Sequence, residues 1–292
     1  MTVRSSRRPP PCCRHGAHDM TLRDAATVVL VRDTTETGTG FEVFMLLRTV
    51  KSDFNAGAYV FPGGAVDRAD GGERAQRLCS GLDAAQANAR LGIDGGALAF
   101  YLAAVRECFE EAGVLLAASA DGRILSLHEA ATQQRFTDYR AALNAGTLDL
   151  ADICEREHLC LPLDQVHYYS HWITPEGMPR RYDTRFFLCR APAGQEPLHD
   201  GQETVDHCWV RPADALARHA AGSFNLVPAT RKQLEFLARF ADSDSLLRHV
   251  AAIERVPAIL PILIMGSDGR PERVRLPLPE GDEEIDLRGV PL

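Results

Sequence analysis

The sequence predicts an α/β sandwich built around a mixed β-sheet and carrying helical insertions. Three observations lead there: two β-rich runs near the start, one long helix with a single apolar stripe, and later strands that give way to proline-led helices. At 292 residues the chain exceeds the roughly 100–200 of an ordinary domain, which fits one domain with additions. Hydrophobic residues make up 45% and charged residues 25%, so a packed core is expected and wholesale disorder is excluded.

Residues 1–20 (MTVRSSRRPPPCCRHGAHDM) are basic, proline-rich and without periodicity. They read as a disordered leader, or as an over-extended start with Met20 as the first residue. A transit peptide is the other option, and a secretory signal lacks its apolar centre. ATVVLVRD (26–33) and FEVFMLLR (41–48), separated by TTETGTG, form a hairpin in which β-branched and aliphatic residues dominate. AYVFPGG (58–64) is expected as a short strand ending in a glycine turn. Residues 65–96, rich in Ala and Gly, read as a first insertion.

From Leu98 to Leu116 the apolar residues Leu98, Tyr101, Leu102, Val105, Cys108, Phe109 and Ala112 recur at helical spacing. Gly113 lies near the end of that helix, with Val114–Leu116 as a prolongation. Residues 121–160 form a second, partly helical insertion. Strands return at 167–174, 180–190 and 201–210. Pro212 and Pro228 each open a helix, the first closed by Gly222 and the second running to about Phe240. The main domain is thus 21–240, and 241–292 is a C-terminal extension packed on it.

Composition narrows the partners. Lys plus Arg number 32 against 40 Asp plus Glu, a net charge of −8, which argues against a nucleic-acid backbone. The late apolar run Pro257–Met265 is broken by Pro261 and falls short of the roughly 18 residues of a membrane span. None of the eight cysteines forms a CxxC pair, so reduced thiols and a cytoplasmic setting are expected. Cys154, His158 and Cys160 match no zinc spacing.

The chemistry concentrates in Arg106-Glu107-Cys108-Phe109-Glu110-Glu111-Ala112-Gly113-Val114. On a helix, Arg106, Glu107, Glu110 and Glu111 span an arc of about 140°. Alone, such a run is most often a solvated acidic face. Three crowded carboxylates otherwise call for a cation, and hard oxygens suit Mg²⁺ or Mn²⁺. Phe61-Pro62-Gly63-Gly64 tips the balance, because glycines let backbone carbonyls approach a metal.

These residues resemble the Nudix box: a glycine, five residues, a glutamate, seven residues, then R-E-U-x-E-E-x-G-U with U bulky and apolar. Arg106 to Val114 match the second half, with Cys108 at the first U. Gly64 aligns with the opening glycine and Asp70 with the first glutamate, but 35 residues separate Asp70 from Arg106, an insertion of 28. Gly57-Ala58-Tyr59-Val60-Phe61-Pro62-Gly63-Gly64, after Leu46-Leu47-Arg48-Thr49 with its serine delayed to Ser52, is similar to the coenzyme A and acyl-coenzyme A diphosphatase branch. So are residues 170–188 and Glu203 to Trp209.

The resemblance implies a Nudix-type α/β/α sandwich and a metal-dependent hydrolase of diphosphate linkages. It implies Glu110 and Glu111 as metal ligands, helped by a carbonyl of Gly63 or Gly64. Glu107 is a third ligand or the base, Arg106 holds the face in place, and Glu203 is a general base or fourth ligand. Arg48, Lys51, Arg181 and Arg185 are the candidate phosphate contacts. Tyr59, Phe61, Tyr182 and Phe186 are core or a platform for a base, and Trp172 and Trp209 are packing. His167, His171 and His207 receive no role. The partner is a small-molecule nucleoside diphosphate derivative: coenzyme A or acyl-coenzyme A first, ADP-ribose or NADH next. A non-catalytic nucleotide-binding module is the rival class. Family habit points to a homodimer.

Overall fold

The computed structural model describes residues 22–34, 40–51 and 55–287; the predicted leader at 1–20, most of the hairpin loop and Ser52 lie outside the described residues. The first hairpin forms as β1 (Leu22–Asp33) and β2 (Phe41–Arg48), antiparallel with Val31 opposite Val43. The expected strand at 58–64 divides in two. β3 (Tyr59–Val60) pairs with β2, and β4 (Gly63–Ala65) pairs with β1. Gly63 and Gly64 are therefore strand rather than turn, lying opposite Thr27 and Ala26. Close approach explains the glycines: a Cβ on Gly63 would stand 2.5 Å from Thr27 Oγ1 and 2.6 Å from the Ala26 carbonyl oxygen.

The first insertion holds α1 (Glu73–Gln76), β5 (Cys79–Ser80) and α2 (Ala84–Leu91), the last opened by an Asp83–Gln86 capping box. α3 (Ala97–Ala112) follows, and its predicted stripe is buried. It stops at Gly113, whose φ of 69° is left-handed and whose N–H donates to the Phe109 carbonyl at 2.9 Å. Val114–Leu116 continue into the core without prolonging the helix. Next come β6 (Ala118–Ser119), then α4 (Ala130–Asn144), α5 (Leu150–Arg156) and β7 (Leu159–Pro162). The order β5-β7-β6 stitches the two insertions into one small sheet. Arg74 of α1 reinforces it with bonds of 2.7 Å to Asp152 and Glu155 of α5.

β8 (His167–Ile173), β9 (Arg181–Arg190) and β10 (Thr204–Val210) complete the strands expected after the second insertion. α6 (Pro212–Ala220) and α7 (Pro228–Leu237) begin at their prolines, and α8 (Ser243–Ala251) is capped by Asp242. β11 (Ala258–Ile259) extends the main sheet, while β12 (Ile262–Met265), β13 (Pro271–Leu278) and β14 (Gly281–Asp286) form a separate antiparallel sheet.

The main sheet runs β10-β2-β1-β9-β8-β11, with the β1–β9 and β8–β11 pairs parallel and its other strand pairs antiparallel. Period two sends Val28, Leu30, Phe44 and Phe187 toward α3, and Val29, Val31, Met45 and Leu188 toward α7, α8 and β13. The result is the expected α/β/α sandwich around a mixed sheet. Trp209 lies 5.4 Å from the Phe44 ring with the Arg32 guanidinium 4.2 Å over it, a packing role. The described cysteines are free thiols, and no described helix is long and apolar enough to cross a membrane.

Candidate active site

The last two turns of α3 carry the acids, and Arg106 arranges them. All five of its N–H donors are used: Nε and one Nη2 hydrogen on the two oxygens of Asp70 (3.0 and 2.9 Å), Nη1 on Glu107 Oε1 (2.8 Å) and Glu110 Oε2 (3.0 Å), and the other Nη2 hydrogen on the Ala65 carbonyl (2.8 Å). Asp70 is buried and also accepts from the Asp67 N–H. The residue aligned with the first box glutamate thus returns to the helix after the insertion, as the carboxylate that fixes Arg106.

Glu107 and Glu111 face a cavity of about 500 Å³ that opens on the far face of the sheet beside Gly63 and Gly64. The Glu107 carboxylate lies against Gly64, where a Cβ would come 2.5 Å from Oε1. Glu111 Oε2 accepts the Gly63 N–H at 2.9 Å, and its other oxygen lies 3.9 Å from Arg48 Nη1. Arg48 also reaches Glu203 at 3.2 Å. Glu203, just before β10, is an exposed rim residue of the same cavity.

Burial pushes both carboxyls up, Glu107 to about 7 and Glu111 to about 8. Arg106 opposes the rise in Glu107, while the charge of Glu107 adds to the rise in Glu111. Burial also raises Glu110, against the pull of Arg106. Two carboxyls on one wall, Glu107 partly buried and Glu111 buried with a backbone N–H and a distant arginine as its partners, form an oxygen donor set that a divalent cation would satisfy.

Not every expected residue reaches this wall. Glu110 is turned to Arg106 and does not line the cavity, and among the described residues no group of three or more His, Cys, Asp or Glu has metal-site geometry. Lys51 is exposed outside the cavity. Arg181 and Arg185 share a strand face as expected, but it is the wrong face. Arg181 donates to the Thr174 carbonyl, and Arg185 pairs with Asp183 at 2.8 Å beneath the Phe100 ring. Their even-numbered neighbours Tyr182, Thr184 and Phe186 face the cavity, and Arg180 lines it too.

Phe61 joins these aromatics at the cavity, whereas Tyr59 stacks on Phe224 at 3.6 Å. Trp172 both packs and borders the cavity. His171 pairs with Asp183, and His207 meets His199 at 2.7 Å. Leu263, Val274, Leu276 and Leu287 of the C-terminal extension supply an apolar wall that the sequence reading missed. The alternation Val274-x-Leu276-x-Leu278 was its available signal.

Comparison with known proteins agrees with this geometry. A family model described as the NUDT19 Nudix domain matches residues 86–237, just over half the chain. The human acyl-coenzyme A diphosphatase NUDT19 is 30% identical over 271 residues, covering 79% of this chain and 70% of the human protein. The chain belongs to the Nudix hydrolases. The chicken (Gallus gallus) acyl-coenzyme A diphosphatase NUDT19 is a similar relative, 28% identical over 266 residues, covering 78% of this chain and 70% of that one. Among solved Nudix structures, a hydrolase from Alicyclobacillus acidocaldarius superposes with a TM-score of 0.67 at 28% identity, covering 79% of this chain and 97% of its own. Nudix hydrolases generally use divalent metal ions, in keeping with the donor set described above.

Proposed function

We propose that this Nudix chain hydrolyses the diphosphate linkage of coenzyme A or an acyl-coenzyme A, releasing 3′,5′-ADP and the (acyl-)phosphopantetheine. The observation that carries the reading is a pair of carboxyls, buried Glu111 and partly buried Glu107, set against Gly63 and Gly64 at the wall of a substrate-sized cavity. The substrate follows from the relatives, which are named acyl-coenzyme A diphosphatases and align over nearly four fifths of the chain.

Glu107 and Glu111, with the carbonyls of Gly63 and Gly64, would hold Mg²⁺ or Mn²⁺, and Glu110 stands one bond behind them through Arg106. Such an ion supplies Lewis acidity toward a phosphoryl oxygen and a more acidic water. Arg106 fixes the carboxylates before substrate arrives, so little reorganisation is left for the reaction. Glu203, exposed at the rim, takes the proton of the attacking water at its carboxylate. Arg48, already between Glu111 and Glu203, and Arg180 face the charge on the departing phosphate. Phe61, Tyr182 and Phe186 offer faces for the adenine. The free thiols accord with a cytoplasmic setting, and pairing of two copies stays part of the proposal on family habit.

The test is hydrolysis of coenzyme A, acetyl-coenzyme A, ADP-ribose and NADH with Mg²⁺ or Mn²⁺, resolving the products. Release of 3′,5′-ADP from the first two supports the proposal. AMP from ADP-ribose or NADH alone moves the specificity, and nucleotide binding without any turnover favours the binding module.

A further inference from the structure

We propose that Arg140, on α4 of the second insertion, is a positioning residue for the carboxylates at the end of α3. The inference rests on the reading of Glu107 and Glu111 as cation-holding groups. α3 places Glu107, Glu110 and Glu111 in its last two turns, where the helix dipole is already negative, and its last turn has no basic residue of its own. Arg106, one turn back, neutralises Glu107 and Glu110, but the carbonyls of the last turn have no basic side chain of the helix to meet them.

Arg140 supplies one. Its Nε donates to the Glu110 carbonyl at 2.9 Å and its Nη2 to the Glu111 carbonyl at 2.7 Å. Asn144, one turn further along α4, donates more weakly to the Glu110 carbonyl at 3.4 Å. Two planar prongs on adjacent carbonyls fix the rotation of the last turn, and with it the direction in which the Glu111 side chain leaves the helix. The guanidinium is half-buried, and burial lowers its pKa against the pull of Asp200 and Glu111.

Gly113 completes the seat. Its left-handed φ ends the helix, and a Cβ there would stand 3.0 Å from Arg140 Nη1. The glycine therefore serves both as the helix stop and as the gap through which the guanidinium reaches the carbonyls. Phe136 of α4, packed edge-on to Phe109 at 6.4 Å, holds the two helices in register. The second insertion, remote from the acids in sequence, thereby sets the geometry of the catalytic wall.

The test is Mn²⁺ binding to the full chain, followed by the electron-spin signal of free Mn²⁺, for wild type, Arg140→Lys and Arg140→Met, with Tm measured alongside. Arg140→Met is expected to weaken Mn²⁺ binding about tenfold, and to raise the Mn²⁺ needed for half-maximal hydrolysis equally, the scale of a partly buried cation at a helix C-terminus. KM for coenzyme A at saturating Mn²⁺ should stay within about twofold. Arg140→Lys, which keeps the charge but loses the fork, should fall between. A folded Arg140→Met with wild-type Mn²⁺ affinity and only a lowered Tm would overturn the inference. If Arg140→Met does not fold, Arg140→Lys decides: weakened Mn²⁺ binding supports positioning and unchanged binding refutes it. A wild-type chain that binds no Mn²⁺ overturns the reading of the site itself, and this inference with it.

Discussion

At the scale of single residues, the proposed chemistry turns on Arg106 and the carboxylates around it. Because its five donors are all used, removing it strands Asp70, Glu107 and Glu110 together. Arg106→Met should cost about 3–5 kcal/mol of stability, as for a broken buried ion pair, measurable by urea unfolding. Glu111→Gln keeps the shape and the Gly63 N–H partner but removes the charge. It should lower kcat on the order of a hundredfold or more with Tm unchanged or raised. The raised carboxyls also set a pH dependence. Between about 4.5 and 8 the folded, metal-free chain binds more protons than the unfolded chain, so the stability present below 4.5 is lost as pH rises through 7 and 8. Calorimetry should therefore show Tm of the metal-free protein falling from pH 6 to 8.5, and the Tm gain from added Mn²⁺ growing over that range. An equal gain at both pH values would contradict it. The four charged residues of α3 were legible in the sequence because helix geometry alone groups them. The outward turn of Glu110 was not, since it depends on Asp70 returning after an insertion whose path spacing cannot fix.

Among the elements, α3 and the split strand β3–β4 hold the site. The apolar stripe of α3 and its stop at Gly113 follow from local sequence, which is why they could be read directly. The Phe-Pro-Gly-Gly segment looked like a turn because glycine pairs usually mark one. Tertiary packing overrode that preference by pressing Gly63 against β1 and Gly64 against Glu107. Gly64→Ala should accordingly cut kcat by displacing the Glu107 carboxylate, with a small change in Tm. Gly63→Ala, whose Cβ would meet backbone as well as side chain, should mainly lower Tm. A paired scan of kcat and Tm for the two variants separates these outcomes. β9 gives the complementary lesson. Its alternation was clear, but which parity faces the cavity depends on the sheet. Arg181 and Arg185 were thus assigned to the face that Tyr182, Thr184 and Phe186 occupy.

Over the whole molecule, the sheet separates two cores, and the cavity draws on both. The acids come from the helix on one face, the apolar wall from the strands of the C-terminal extension on the other. The sandwich was legible because it follows from the order of strands and helices. The wall was not, because the β12–β14 sheet meets the rest of the molecule only through contacts distant in sequence, such as Arg231 and Lys232 with Glu283. Leu276, fully buried and also at the cavity, joins the two roles: Leu276→Ala should cost about 2–5 kcal/mol and raise KM for coenzyme A. The most direct test of the whole account is product-resolved hydrolysis of coenzyme A with Mn²⁺ by wild type and by the double variant Glu107→Gln/Glu111→Gln. The account predicts 3′,5′-ADP from wild type and none from a double variant that still folds. Wild-type rates from that variant, or a wild-type chain inert toward every diphosphate offered, would contradict it.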